Sequence, residues 1–144
     1  MVESDTIKLL RECDAGVKMG VKSIDDIISS VKSERLRTML CDSKCDHEEL
    51  GREIEAHLEE LGDKGKDPNP IATGMSAIKT NFKLAIKDSD KTIASLMTDG
   101  CNMGVKSLSK YLNEYEAADE FSKDIAKKLI HIEETLCENM RGYL

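Results

Sequence analysis

Six residues, Met19-Gly20-Val21-Lys22-Ser23-Ile24, return almost unchanged as Met103-Gly104-Val105-Lys106-Ser107-Leu108, 84 positions further on. The match reaches back to Gly16 and Gly100 and forward to Ile28 and Leu112, both apolar. A solenoid repeats shorter units many times. Two copies at so long a period predict instead a duplicated supersecondary unit, and with it a pseudo-two-fold.

The segments around the motif settle the type of unit. Ile7, Leu10, Val17, Val21, Ile24, Ile28 and Val31 are spaced alternately by three and four, with Asp14 in the one remaining seam position. That spacing predicts a long helix offering a narrow stripe to a bundle, with Ser4 or Asp5 as its N-cap. After a turn at Ser33-Glu34, a second seam runs through Leu36, Leu40, Ser43, His47, Leu50, Ile54, His57 and Leu61, and stops at Gly62, a C-cap residue. So short a link makes the two helices antiparallel neighbours. The loop from Gly62 to Pro70 leads through Asn69-Pro70, a helix start, to a shorter helix with Met75, Ile78, Phe82 and Ala85 on one face. Asp88-Ser89-Asp90 reads as a break and a new cap. A third long helix follows on Ala94, Thr98, Cys101, Val105, Leu108, Leu112 and Tyr115, in register with the first. The fourth uses Phe121, Ile125, Leu129, Ile132, Leu136 and Met140, where the repeat slips by about one residue.

Two helical hairpins joined by a long connection define an all-α, ferritin-like four-helix bundle. Residues 1–144 form a single domain, with one hairpin over about 4–62, a loop and crossover helix over 63–88, and a second hairpin over about 89–144. Each main helix is roughly 40 Å long at 1.5 Å per residue. The connection can then span the bundle and let the second and third helices run parallel.

Composition narrows the function. Charged residues make up 34% of the chain, mixed in sign, for a formal net charge of -7. That balance disfavours nucleic acid and an anionic membrane surface, both of which ask for a basic face. No run approaches the ~20 apolar residues of a membrane span. Met1-Val2-Glu3-Ser4-Asp5 lacks the basic and apolar regions of a signal peptide, so a cytoplasmic location is expected, with the five cysteines as thiols.

A di-iron bundle centre needs inward glutamates and Glu-x-x-His pairs, because i and i+3 share a helix face. Here Lys44 precedes His47 by three and Lys128 precedes His131 by three, and Thr98 replaces Asp14 in the second copy. An ammonium cannot ligate. A standard di-iron site is therefore not expected, and neither is any other cofactor. Asp14 and His47 fall within about a turn of each other when counted from the intervening turn. They predict a buried Asp–His–Ser network or, alternatively, part of a reduced divalent-metal site. Cys101 with His131-x-x-Glu134 is a second candidate metal set. Cys41 and Cys45 share a face off the seam.

Gly16-x-x-x-Gly20 and Gly100-x-x-x-Gly104 put four glycines inside helices, at about 1 kcal/mol each against alanine. Close helix packing offsets that cost. The expected contacts are with each other, with the short helix, or with another subunit.

On the first hairpin, the Gly62 turn, the crossover helix from Met75 to Ile86 and the Asp99-Gly100 start of the second copy, the chain resembles an uncharacterised bacterial four-helix-bundle family of the ferritin-like superfamily. The resemblance implies the fold and a stress-related cytoplasmic setting, and no activity. The expected function is that of a non-enzymatic bundle acting by self-association, as a homo-oligomer, or through a protein partner. The alternatives are a metal-binding or redox protein and a carrier with an apolar cavity between the second, third and short helices.

Overall fold

The computed structural model describes residues 4–67 and 89–144, and the expected crossover helix lies outside them. Among the described residues the chain is all-α, with four long helices and no strand. Helix α1 covers Asp5–Ile27 and continues into a 3-10 turn, Ile28–Ser30. Helix α2 is Glu34–Glu60, α3 is Ser89–Glu114, and α4 is Glu120–Met140, closed by a 3-10 turn at Arg141–Tyr143.

Local chemistry sets the ends. The hydroxyl of Ser4 accepts from the Ile7 amide, that of Ser33 from Leu36, and the Asp119 carboxylate from Ser122. Each satisfies an amide that the helix leaves without a partner. At the end of α2, Gly62 takes φ +73°, the Asp63 amide donates to the Leu58 carbonyl and the Gly62 amide to Glu59. This is a Schellman motif, and it needs the left-handed residue that glycine supplies.

The helix directions follow from two clamps. Near the start of α3, the Asp90 carboxylate accepts from the Lys32 and Ser33 amides at 2.8 and 2.9 Å, in the turn between α1 and α2. Near the start of α1, Asp5 accepts from the Ala117 amide at 3.1 Å and Thr6 from Asp119 at 2.9 Å, in the turn between α3 and α4. Each hairpin thus starts beside the other's turn. It follows that α2 and α3 run the same way and α1 opposes α3. Helix α4 packs against α1, α2 and α3.

The core has two apolar clusters. One gathers Leu9, Leu10, Cys13, Val17, Leu50, Ile54, Leu58, Leu108, Ile125 and Leu129. The other gathers Ile24, Ile27, Leu36, Leu40, Ile93, Met97, Cys101, Leu136 and Met140. Between them, at one level of all four helices, lie Gly20, His47, Gly104 and Glu133.

Three expected seam positions are corrected. Leu61 is 42% exposed and Leu58 is buried in its place, because a 3.6-residue helix drifts off a strict three-four stripe over this length. Phe121 is 46% exposed and packs on the His57 ring, while Ser122 points inward. Ile132 is half-buried at the edge, and Glu133 takes the interior position.

Candidate functional site

His47 is 1% exposed. Its Nδ1 lies 2.7 Å from the Ser43 carbonyl oxygen, one turn back in α2. A carbonyl only accepts, so Nδ1 carries a proton. Nε2 lies 2.8 Å from Glu133 Oε1 across the bundle. One further proton sits in that contact, which makes the pair an imidazolium and a carboxylate with no net charge. Burial favours the neutral ring, but the hydrogen bond and charge of Glu133, with the Ser43 carbonyl, outweigh it and hold His47 above its ordinary 6.5.

Cys101 is buried beside this pair. Burial, then the Glu133 charge and a hydrogen bond to Glu133, push its thiol far up. It therefore stays protonated, and a thiol of that kind is a poor nucleophile. Cys13, buried in the cluster with Leu9 and Leu10, is pushed up to about 12, first by burial and then by Glu12 and Asp14. All five cysteines are free.

The repeated glycines explain how an imidazole and a carboxylate fit at this level. A Cβ on Gly20 would stand 2.6 Å from His47 Nε2, and one on Gly104 would stand 3.5 Å from the Glu133 carboxylate. Gly16 faces Leu129 at 3.4 Å. Gly16, Gly20 and Gly104 thus accommodate buried side chains of α2 and α4, and the expected contact with the short helix lies outside the described residues. Gly100 lines the adjoining cavity.

That cavity, about 230 Å³, opens between α1 and α3. Met19, Gly20 and Ser23 form one wall and their counterparts Met103, Gly104 and Ser107 the other, with His47, Cys101 and Glu133 at the floor. The cavity expected between the second, third and short helices involves residues outside the described ones.

The candidate residues separate into three places. His47 and Cys101 come together, joined by Glu133. Asp14 is buried but does not reach His47: its Oδ2 accepts from Lys18 Nζ and from the Lys66 amide, each at 2.9 Å. It serves the loop after α2, where Gly65 at φ +82° leaves room for the carboxylate. Arg11 ties down the same loop by pairing with Asp63 at 2.5 Å, and Lys66 pairs with Glu12 at 2.5 Å. His131 and Glu134 stand on the exposed side of α4, away from Cys101. The partner missed from sequence is Glu133. His47 and Glu133 are 86 residues apart, and the same separation links the N-caps Ser33 and Asp119. The second helices are therefore offset by two residues relative to the 84-residue motif, rather than by one.

The residues present do not fit a di-iron centre. At the level of His47, α1 and α3 contribute glycine, and both nitrogens of the imidazole are engaged. Lys44 turns outward to Asp25 at 2.6 Å, and the Lys128 side chain is 59% exposed. Among the described residues no group of three or more His, Cys, Asp or Glu converges as metal ligands.

No family model matches the sequence, and no curated protein matches it. Among solved structures, the chain is similar to a DUF305 fragment from Deinococcus radiodurans. The TM-score is 0.79 at 14% identity, covering 97% of this chain and 95% of that one. At that identity the likeness shows the fold alone. No described helix is long and apolar enough to cross a membrane.

Proposed function

We propose that this chain is a non-enzymatic, ferritin-like four-helix bundle, duplicated from one hairpin, that acts by binding through the groove between α1 and α3. The groove itself carries this reading: a 230 Å³ cavity walled by both copies of the repeated motif. Three features weigh against catalysis and towards binding. His47 and Glu133 satisfy each other, Cys101 holds its proton, and the positions where a bundle metal site would draw further ligands are glycines. Parallel α2 and α3 support the ferritin-like arrangement.

The test is a titration of the full chain with benzene, followed by amide chemical shifts. Saturable shifts are expected at Gly20 and Gly104, and their loss is expected in Ser107→Leu, which fills the groove. Shifts scattered over the surface, or unchanged by Ser107→Leu, would count against the groove.

Self-association or a protein partner is the second reading. One observation favours it: Met103, on the groove wall, is 45% exposed. Sedimentation equilibrium of the native chain and Met103→Lys checks it, with a concentration-dependent dimer lost in the variant as the supporting result.

A further inference from the structure

Building on the groove as the binding site, we infer that it takes a neutral, ring-sized apolar molecule bearing a hydroxyl group, and that the hydroxyl donates to the Glu133 carboxylate. Size comes first. A buried apolar cavity of about 150 Å³ holds benzene, so 230 Å³ accommodates a ring with a few further atoms. Most of the wall is apolar, and methionines such as Met19, Met97 and Met103 adapt to an irregular shape.

Charge comes second. Four charged side chains line the groove, and they cancel in pairs: Glu12 with Lys66 at 2.5 Å, and Glu133 with His47 at 2.8 Å. A ligand with its own charge would lose water there without gaining an opposite charge, a costly exchange. A neutral ligand avoids it.

The polar end comes third. Glu133 Oε1 is taken by His47, while Oε2 faces the Gly104 side, where no Cβ intervenes. Cys101, whose thiol is only a weak donor, lines the cavity with Glu133. A ligand hydroxyl is the stronger donor to this carboxylate. Both His47 and Glu133 are at least nine-tenths buried, yet both line the cavity. The groove therefore presents a fixed acceptor at the bottom of an apolar slot.

The experiment titrates the full chain at pH 6 with benzene, phenol, benzoate and benzylammonium, reading dissociation constants from amide shifts at Gly20 and Gly104. Phenol is expected to bind about tenfold more tightly than benzene, the worth of one hydrogen bond to a charged acceptor. Both ions are expected to bind at least about tenfold more weakly than phenol. In Glu133→Gln the ratio of phenol to benzene affinity should shrink towards one. Should that variant not fold, Cys101→Ala serves instead: it frees the carboxylate and should raise the phenol preference.

Equal binding of phenol and benzene would overturn the inference and leave the groove standing as an apolar site. Benzoate or benzylammonium matching phenol would overturn the neutral-ligand claim. Binding of none of the four would overturn both the inference and the groove.

Discussion

The first hairpin sets Gly20 of α1 over His47 of α2; the second sets Gly104 of α3 over Glu133 of α4. The caps correspond, and so do the clamps, with Thr6 holding the Asp119 amide where Asp90 holds Ser33. The two halves differ in clearance and in charge. His47 leaves a Cβ on Gly20 only 2.6 Å, whereas Glu133 leaves one on Gly104 an ordinary 3.5 Å. One half brings the base and the other the acid, so each supplies the partner that the other lacks. A duplicated unit can therefore hold a buried charge pair without adding a third element, provided the two copies diverge at a single level.

That comparison breaks most sharply at the pair itself. His47→Ala or Glu133→Ala leaves one buried ionisable group unpaired and should cost about 3–5 kcal/mol in urea unfolding. His47→Leu, which fills the space, should cost less than His47→Ala. Equal and small losses in all three would mean that the interior at this level is wet or rearranged.

The glycines come next. Gly20→Ala must displace an imidazole held at both nitrogens, so an expected loss of about 2–3 kcal/mol sets it apart from an ordinary helix substitution. The readout is the denaturation midpoint, with the His47 ring shifts as a second probe.

Proton linkage gives a smaller effect of defined sign. His47 titrates higher in the folded protein than its unfolded value near 6.5. The native state thus holds the extra proton between the two values. The stabilisation is complete below about pH 6.5 and is lost as pH rises through the folded value. Subtracting the pH profile of His47→Leu isolates it from other groups, and a difference that grows towards alkaline pH would contradict the pairing.

The smallest effect should carry the opposite sign. Gly104→Ala meets only van der Waals contact and gains helix propensity, so it should be neutral or stabilising by up to about 1 kcal/mol. A loss as large as that of Gly20→Ala would erase the distinction between the halves.

Much of this was legible in the sequence. The α2 seam was readable through Ile54, including Ser43 and His47 as buried polar positions, because the three-four spacing holds that far. The Ser33 cap and the Gly62 stop were readable from residue type. His47's partner was not. Apolarity favoured Ile132 over Glu133 as the inward residue of α4, and two extra residues between the repeated motif and the N-cap of the second hairpin hid the correspondence. Asp14 misled for a different reason: its partners are Lys18 and a backbone amide in a loop, and a backbone amide leaves no mark in a sequence. The groove was out of reach of periodicity, since it depends on how far apart α1 and α3 stand.

A double-mutant cycle on His47 and Glu133 tests the central claim most directly. Unfolding free energies of the native chain, His47→Ala, Glu133→Ala and the double variant give the coupling between the two side chains. The account predicts that the double variant loses at least about 2 kcal/mol less than the sum of the singles, since the second removal clears a charge that the first had stranded. Additivity within about 0.5 kcal/mol would show that the two residues do not pair across the bundle.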